Sequence, residues 1–169
     1  DAMDYLLSLG HKRIGYISGR AELESSNRRL KGYREALEKA GLPIDEKLIA
    51  SGDYTTETGV SGARELLALD HPPTAIFASN DQMAMGVFQL AEELGIRIPE
   101  DLSVIGFDNI TESKYMGLTT VDQFISEMGY VATHMLIKII NGVQLDEQTY
   151  QMRTQLVIRN SCREVVDVK

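Results

Sequence analysis

Apolar residues along this chain fall into short runs that alternate with longer stretches of helical spacing. The plainest case is residues 74–94. A run over residues 75–78 (AIFA) ends at Ser79-Asn80-Asp81, and Ala84, Val87, Phe88, Ala91 and Leu94 then recur every three or four positions, with Gln82, Gln89, Glu92 and Glu93 between them. The pattern predicts a buried strand that feeds directly into an amphipathic helix, with polar residues at the turn. In open α/β sheets the turn beyond the carboxyl end of a strand is where ligands sit.

The same device recurs. Residues 1–9 read as a helix carrying Met3, Leu6, Leu7 and Leu9, stopped by Gly10. Residues 13–18 (RIGYIS) read as a strand, 24–40 as a second helix ended by Gly41-Leu42-Pro43, and 47–52 as a weaker strand closed by Asp53-Tyr54. Thr55 is placed to cap a third helix whose buried stripe is Val60, Ala63, Leu66 and Leu67. Residues 102–107 (LSVIGF), apolar apart from Ser103 and the glycine, suit a strand covered on both faces, and Asp108-Asn109 ends it. The least regular stretch, 109–117, reads as a connection between lobes. Residues 118–123 (LTTVDQ) read as a strand, Ser126 as the cap of a helix running to about Asn141, and 151–159 as a last strand. Strands alternating with helices of ten or more residues predict an α/β fold: a parallel sheet of βαβ crossovers with helices on both faces.

Polar residues follow each strand: Asp53-Tyr54, Asn80-Asp81, Asp108-Asn109 and Gln123. In a parallel sheet all lie along one edge, where carboxylates, carboxamides and an aromatic face suit a small polyhydroxylated ligand. Each Asp or Asn taken singly is also the residue expected to cap a helix, so the ligand reading rests on the coincidence of several turns. Arg29 adds to it. With the second helix viewed along Tyr33, Leu37 and Ala40 fall within roughly 40° of the centre, Arg29 lies about 40° away and Arg28 about 140° away. An inward arginine needs an acceptor, which is either a ligand or an internal carboxylate such as Asp53 or Asp108.

Composition narrows the classes. Among 169 residues, 25 are acidic against 17 Lys and Arg, a net charge of −8 that disfavours direct binding of nucleic acid. The single cysteine, Cys162, excludes an internal disulfide. No apolar run reaches the roughly 18 residues of a membrane span, and no charged-then-apolar signal opens the chain, which begins at Asp1 already inside a helical pattern. His11, His71 and His134 are scattered without metal-ligand spacing, and no nucleophile–base pair or phosphate-loop pattern occurs, so neither a metal, a cofactor nor catalysis is expected.

The blocks LGHKRIGYISG, RRLKGYREALEKAGL, PTAIFASNDQMAMG, IPEDLSVIGFDN, LTTVDQ and LVIRNSC resemble, in this order, the effector-binding core of LacI/GalR-family transcriptional repressors. The resemblance covers nearly the whole chain and implies a periplasmic-binding-protein-like (type I) fold. It further implies that residues 1–122 belong to the C-terminal lobe of a two-lobed core, 123–153 to a returning segment of the N-terminal lobe, and 154–169 to the last strand and tail of the first. By motif, Arg29 matches the family's effector-binding arginine, Asn80 its carboxamide contact, Asp108 its carboxylate contact, Gln123 a polar residue at the cleft hinge and Tyr54 an aromatic that packs on the ligand. The resemblance therefore implies a cytoplasmic homodimer that senses a small molecule, a sugar by preference, through lobe closure. It reaches DNA only through a headpiece outside this sequence. The alternative use of the same fold is a periplasmic solute-binding protein of a sugar transporter. Residues 126–141 carry Met128, Val131, Ala132, Met135, Leu136, Ile139 and Ile140, an apolar arc too wide for a helix covered on one side, so this helix is expected to pack on a second chain.

Overall fold

The computed structural model describes residues 1–145 and 147–165. The elements are α1 (Ala2–Ser8), β1 (Ile14–Ile17), α2 (Glu24–Lys39), a 3-10 turn (Glu46–Leu48), β2 (Ile49–Ala50), α3 (Thr56–Leu67) and β3 (Ala75–Ala78). They continue with α4 (Asp81–Leu94), β4 (Ser103–Ile105), α5 (Thr111–Tyr115), β5 (Thr120–Asp122), α6 (Ile125–Ile140) and β6 (Gln155–Val157). Strands β2-β1-β3-β4 form a parallel sheet in that order, with Ile14 level with Ala75 and Ile17 with Ala78.

Because side chains alternate across a strand, each central strand feeds two cores. Ile17, Ile76, Ala78 and Val104 point to α3 and α4 and pack with Ala63, Leu66, Met83, Val87 and Leu90. Ile14, Tyr16, Ala75, Phe77 and Ile105 point the other way, to Met3 and Leu6 of α1 and Tyr33 and Leu37 of α2. Both central strands are buried along their whole length, which is why they read as continuous apolar runs.

The third helix presents a different stripe from the one its large residues suggest. Gly59, Gly62, Ala63 and Leu66 are buried, while Val60 and Leu67 lie at the margin. A Cβ at Gly59 would overlap the Met83 backbone, and one at Gly86 would overlap the Thr56 carbonyl. The two helices thus touch backbone to backbone, and glycine is what lets them. Thr55 does cap α3, accepting from the Thr58 amide at 3.4 Å.

Four expectations change. The weak strand over 47–52 is mostly the 3-10 turn, with Asp45 accepting from the Lys47 amide at 3.1 Å, and only two strand residues follow. The stretch 109–117 holds the short helix α5, and Leu118 leads straight on to β5 beside β4, bridged at Ile105–Thr119 and Asp108–Asp122. Ser126 does not cap α6. Phe124, at φ 53°, occupies the cap position, and Asp122 accepts from its amide at 2.7 Å, so the turn forms one residue pair earlier. The last strand is antiparallel to β5, with Thr120 opposite Val157, because the chain comes back along β5 after α6 rather than through a crossover. The sheet of four is parallel and the terminal pair is not.

Residues 163–165 are held near the start of β1 and β4, at the opposite edge from the turns that follow the strands. His11 is buried and Nε2 donates to the Arg163 carbonyl at 3.1 Å, which leaves Nδ1 to accept from the Thr74 hydroxyl at 2.8 Å. The Arg163 amide donates to Ser103 Oγ at 3.1 Å and the Val165 amide to the Leu9 carbonyl at 2.9 Å.

Candidate functional site

Tyr54, Asn80, Asp108 and Gln123 lie on the turns that follow β2, β3, β4 and β5, and Arg29 reaches this edge from α2. Helix α2 brings Arg29 inward, with its side chain 14% exposed, while neighbouring Arg28 is 77% exposed and pairs with Glu24 at 3.0 Å. The guanidinium donates to the Ser79 carbonyl at the end of β3, lies 3.8 Å over the Phe107 ring centroid and stands 3.7 Å from Asp108 Oδ1. Arg29 thus spans the turns after β3 and β4, and the internal acceptor is Asp108, not Asp53.

Asp108 adopts φ 117° and Asn109 φ 55°, both in the left-handed region. This bend turns the Asp108 carboxylate back toward Arg29, where the Gln123 carboxamide also donates to it. Burial raises the Asp108 pKa, Arg29 pulls it down and the charge of Asp81 pushes it up. Arg29, Asp108 and Gln123 therefore form one polar chain running from α2 to the segment that leaves for α6.

Asn80 has a divided task. Oδ1 accepts from the Met83 amide at 2.9 Å and caps α4, and Nδ2 donates to the Tyr54 carbonyl at 3.1 Å. The capping use anticipated for an Asn at this turn is present, and the second bond ties the β2 turn to the β3 turn. Tyr54, at φ 75°, lays its ring on Gly19, where a Cβ would collide with it, and 5.8 Å from the Arg29 guanidinium. Asp53 is turned away from this group. It accepts from the Thr55 amide and from the Thr55 and Thr58 hydroxyls at 3.0, 2.6 and 2.8 Å, bonds that lower its pKa at the start of α3.

Four participants had no separate signal in the sequence. Phe107 is the platform under Arg29. Arg159 donates to Asn109 Oδ1 at 2.6 Å and to the Leu118 carbonyl at 2.7 Å, tying the returning strand to the cleft turn. The hydroxyls of Tyr16 and Ser79, like that of Tyr54, are buried without a hydrogen-bond partner. The turn dipeptide after GF and the arginine of IRNSC were the available hints, but neither says what its side chain meets.

A cavity of about 430 Å³ between α1 and α2 reaches Arg29 and Phe107 but not Asp108, Asn80 or Gln123, so it flanks the cluster and does not contain it. Among the described residues no group of three or more His, Cys, Asp or Glu is placed to hold a metal ion, and no helix is long and apolar enough to cross a membrane. What the cluster offers is a guanidinium, a carboxylate, carboxamides and hydroxyls, with no nucleophile held against a base.

A parallel α/β lobe with hydrogen-bonding turns gathered beyond its strand ends belongs to the class of proteins that bind small molecules reversibly. The chain is a member of the periplasmic binding protein-like domain family, whose model matches residues 3–162, and its relatives are LacI-family regulators. It is 41% identical over 165 residues to the HTH-type transcriptional repressor CytR of Escherichia coli (strain K12), which covers 96% of this chain and 48% of CytR. A regulatory protein of LacI family from Chloroflexus aggregans superposes with a TM-score of 0.87 at 36% identity, covering 95% of this chain and 59% of that one. The transcriptional regulator CelR, in its cellobiose complex, gives a TM-score of 0.87 at 34% identity over 94% of this chain and 49% of CelR. The chain spans about half the length of the curated relatives it matches.

Proposed function

We propose that this chain is the effector-sensing part of a LacI/GalR-type transcriptional repressor, and that its effector is a small polyhydroxylated molecule, a sugar by preference. The observation that carries the reading is the Arg29–Asp108–Gln123 chain. A ligand hydroxyl that accepts from Arg29 and donates to Asp108 competes with Gln123 for the same carboxylate, at the point where the chain departs for α6. Ligand binding then bears directly on the segment between residues 1–122, read as one lobe, and 123–153, read as a returning piece of the other, before 154–169 rejoin the first. Asn80 and Tyr54 form the opposite wall.

Such a protein acts in the cytoplasm as a homodimer and binds DNA through a headpiece outside this sequence, in keeping with the acidic charge here. Closure alters DNA affinity only by the difference in effector affinity between two states. The repressor relatives favour this over a transporter's solute-binding protein, and the lack of a nucleophile–base pair in the cluster disfavours an enzyme. The cellobiose held by CelR supports a sugar as the ligand class.

Calorimetric titration of the full-length protein with a panel of sugars and nucleosides tests the reading. Arg29→Ala is expected to weaken binding about ten- to a hundredfold, the worth of one charge-assisted hydrogen bond. Arg28→Ala should leave it unchanged. The reading fails if Arg28 matters and Arg29 does not.

A further inference from the structure

Asp81 follows Asn80 directly in the sequence, yet its side chain is fully buried and points away from the cleft. Oδ1 accepts from the Thr120 hydroxyl of β5 at 2.6 Å, and Oδ2 accepts from the Ile110 amide at 3.0 Å. Its own amide donates to the Phe107 carbonyl at 2.7 Å. One residue at the start of α4 thus holds the chain on both sides of the left-handed pair Asp108-Asn109 and fastens β5 beneath it. The seat is shaped for a carboxylate: a Cβ at Gly106 would overlap Asp81 Oδ1. A buried carboxylate is costly unless its lone pairs are met, and these are met entirely by groups that set the geometry of the neighbouring turn.

We propose that Asp81 is the positioning residue of the effector cleft, holding Asp108 and Asn109 in their left-handed bend so that the Asp108 carboxylate faces Arg29. It touches no ligand. The assignment rests on the reading of Asp108 as an effector contact, and it explains why a carboxylate is kept in a site that desolvation makes unfavourable for it. Two left-handed non-glycine residues in succession are strained, and such strain persists only where surrounding bonds over-determine it. The Asp81 bonds to Ile110 and Phe107 are among them, beside those of Asn109 to Asp122 and Arg159.

The test uses the full chain and needs no ligand. In Asp81→Ala the Ile110 and Asn109 amides should exchange with solvent at least about tenfold faster, while the Ala78 amide in β3 keeps its protection, marking a local release. Asp81→Asn should rescue that protection, since Oδ1 still accepts from the Ile110 amide and the Thr120 hydroxyl turns to accept from Nδ2. Both variants remove the Asp81 charge, so a difference in Asp108 titration between them reports the position of Asp108 and not the lost charge. The Asp108 carboxyl, which faces Arg29 on α2, Gln123 and, in the parent, the charge of Asp81, should titrate lower in Asp81→Asn, which keeps it beside Arg29, than in Asp81→Ala, by carbon-detected NMR. If Asp81→Ala does not fold, Thr120→Val carries the exchange arm, with faster exchange at Ile110 again expected. Unchanged exchange at residues 108–110 in Asp81→Ala, or an equal Asp108 titration in the two variants, would overturn the proposal. Failure of the sugar reading would show separately, as an Arg29→Ala variant that binds every ligand as the parent does.

Discussion

Helices α2 and α6 are both 16 residues long, and the less apolar of the two is the one that is buried. Helix α2 carries three arginines and two lysines, yet Ser26, Tyr33 and Leu37 are buried and the rest of its inner face meets β1, β3 and α1. Its polar groups do part of the anchoring: the Tyr33 hydroxyl donates to the Ile14 carbonyl at 2.8 Å, Arg34 to Glu46 at 2.9 Å and Lys39 to Asp4 at 3.1 Å. Helix α6 is rich in isoleucine, leucine and methionine, and none of its residues is buried; Leu136 is 56% exposed and Ile140 73%. Its side-chain bond, Thr133 to the Gly129 carbonyl, stays within the helix. Hydrophobic periodicity says which face of a helix must be covered. It does not say by what, and burial follows only where a complementary surface exists.

The sharpest way to break this contrast is association. Leaving several aliphatic side chains of α6 in water forgoes about 1.5–3 kcal/mol for each that could be buried, so a second copy is expected to cover them. Analytical ultracentrifugation of the 169-residue chain should give twice the chain mass, and Leu136→Glu combined with Ile140→Glu should return it to a single chain. A clean monomer whose α6 amides are nonetheless protected from exchange would mean that α6 is covered by its own chain.

Truncation of one leucine on each helix sharpens the same point with a smaller effect. Leu37→Ala removes a buried side chain packed against the sheet and should cost about 2–5 kcal/mol in chemical denaturation. Leu136→Ala should fall within about 0.5 kcal/mol at concentrations where the chain is monomeric. Equal losses at the two positions would show that α6 is packed in solution.

The smallest effect expected is a pH dependence at His11, which holds Arg163 across the fold, whereas the Thr133 bond of α6 stays within its helix. Burial lowers the His11 pKa below its ordinary 6.5, against the raising effect of its bond to the Arg163 carbonyl. A depressed folded-state pKa means that the unfolded chain binds the proton more readily, so the stability from neutral His11 is present above pH 6.5 and is lost as pH falls below it. Asp81 and Asp108 have raised pKa values, chiefly from burial, and act with the opposite sign at lower pH. Denaturation curves between pH 7 and 5 should therefore be flatter for His11→Gln than for the parent. An identical slope in both would remove His11 from the balance.

Much of this could be read before any coordinates. The strand over residues 75–78, the Thr55 cap and the inward face of Arg29 are local matters of spacing and capping, settled within a turn or two of chain. The misreadings share a cause. Ser126 looked like the better cap by residue type, but Asp122 had already closed the turn from four residues upstream. The α3 stripe was drawn from its large residues, whereas the close approach of α4 demanded the small ones. The last strand looked like another parallel one because periodicity carries no direction.

The amino-acid sequence by itself determined the alternation of strands and helices, the edge of the sheet on which Tyr54, Asn80, Asp108 and Gln123 collect, and the side of α2 that Arg29 occupies. Each follows from the period of a helix or strand and from residue chemistry acting over a few neighbours. Only the tertiary structure decided which partners these groups meet, since those partners lie far off in sequence. Arg29 reaches Ser79 fifty residues on, Asp81 reaches Thr120 thirty-nine on, and His11 holds the Arg163 carbonyl across 152. Whether a carboxylate closes a turn, ties two segments together or meets an arginine depends on what the fold sets around it, as Asp53, Asp81 and Asp108 show with one side chain and three surroundings.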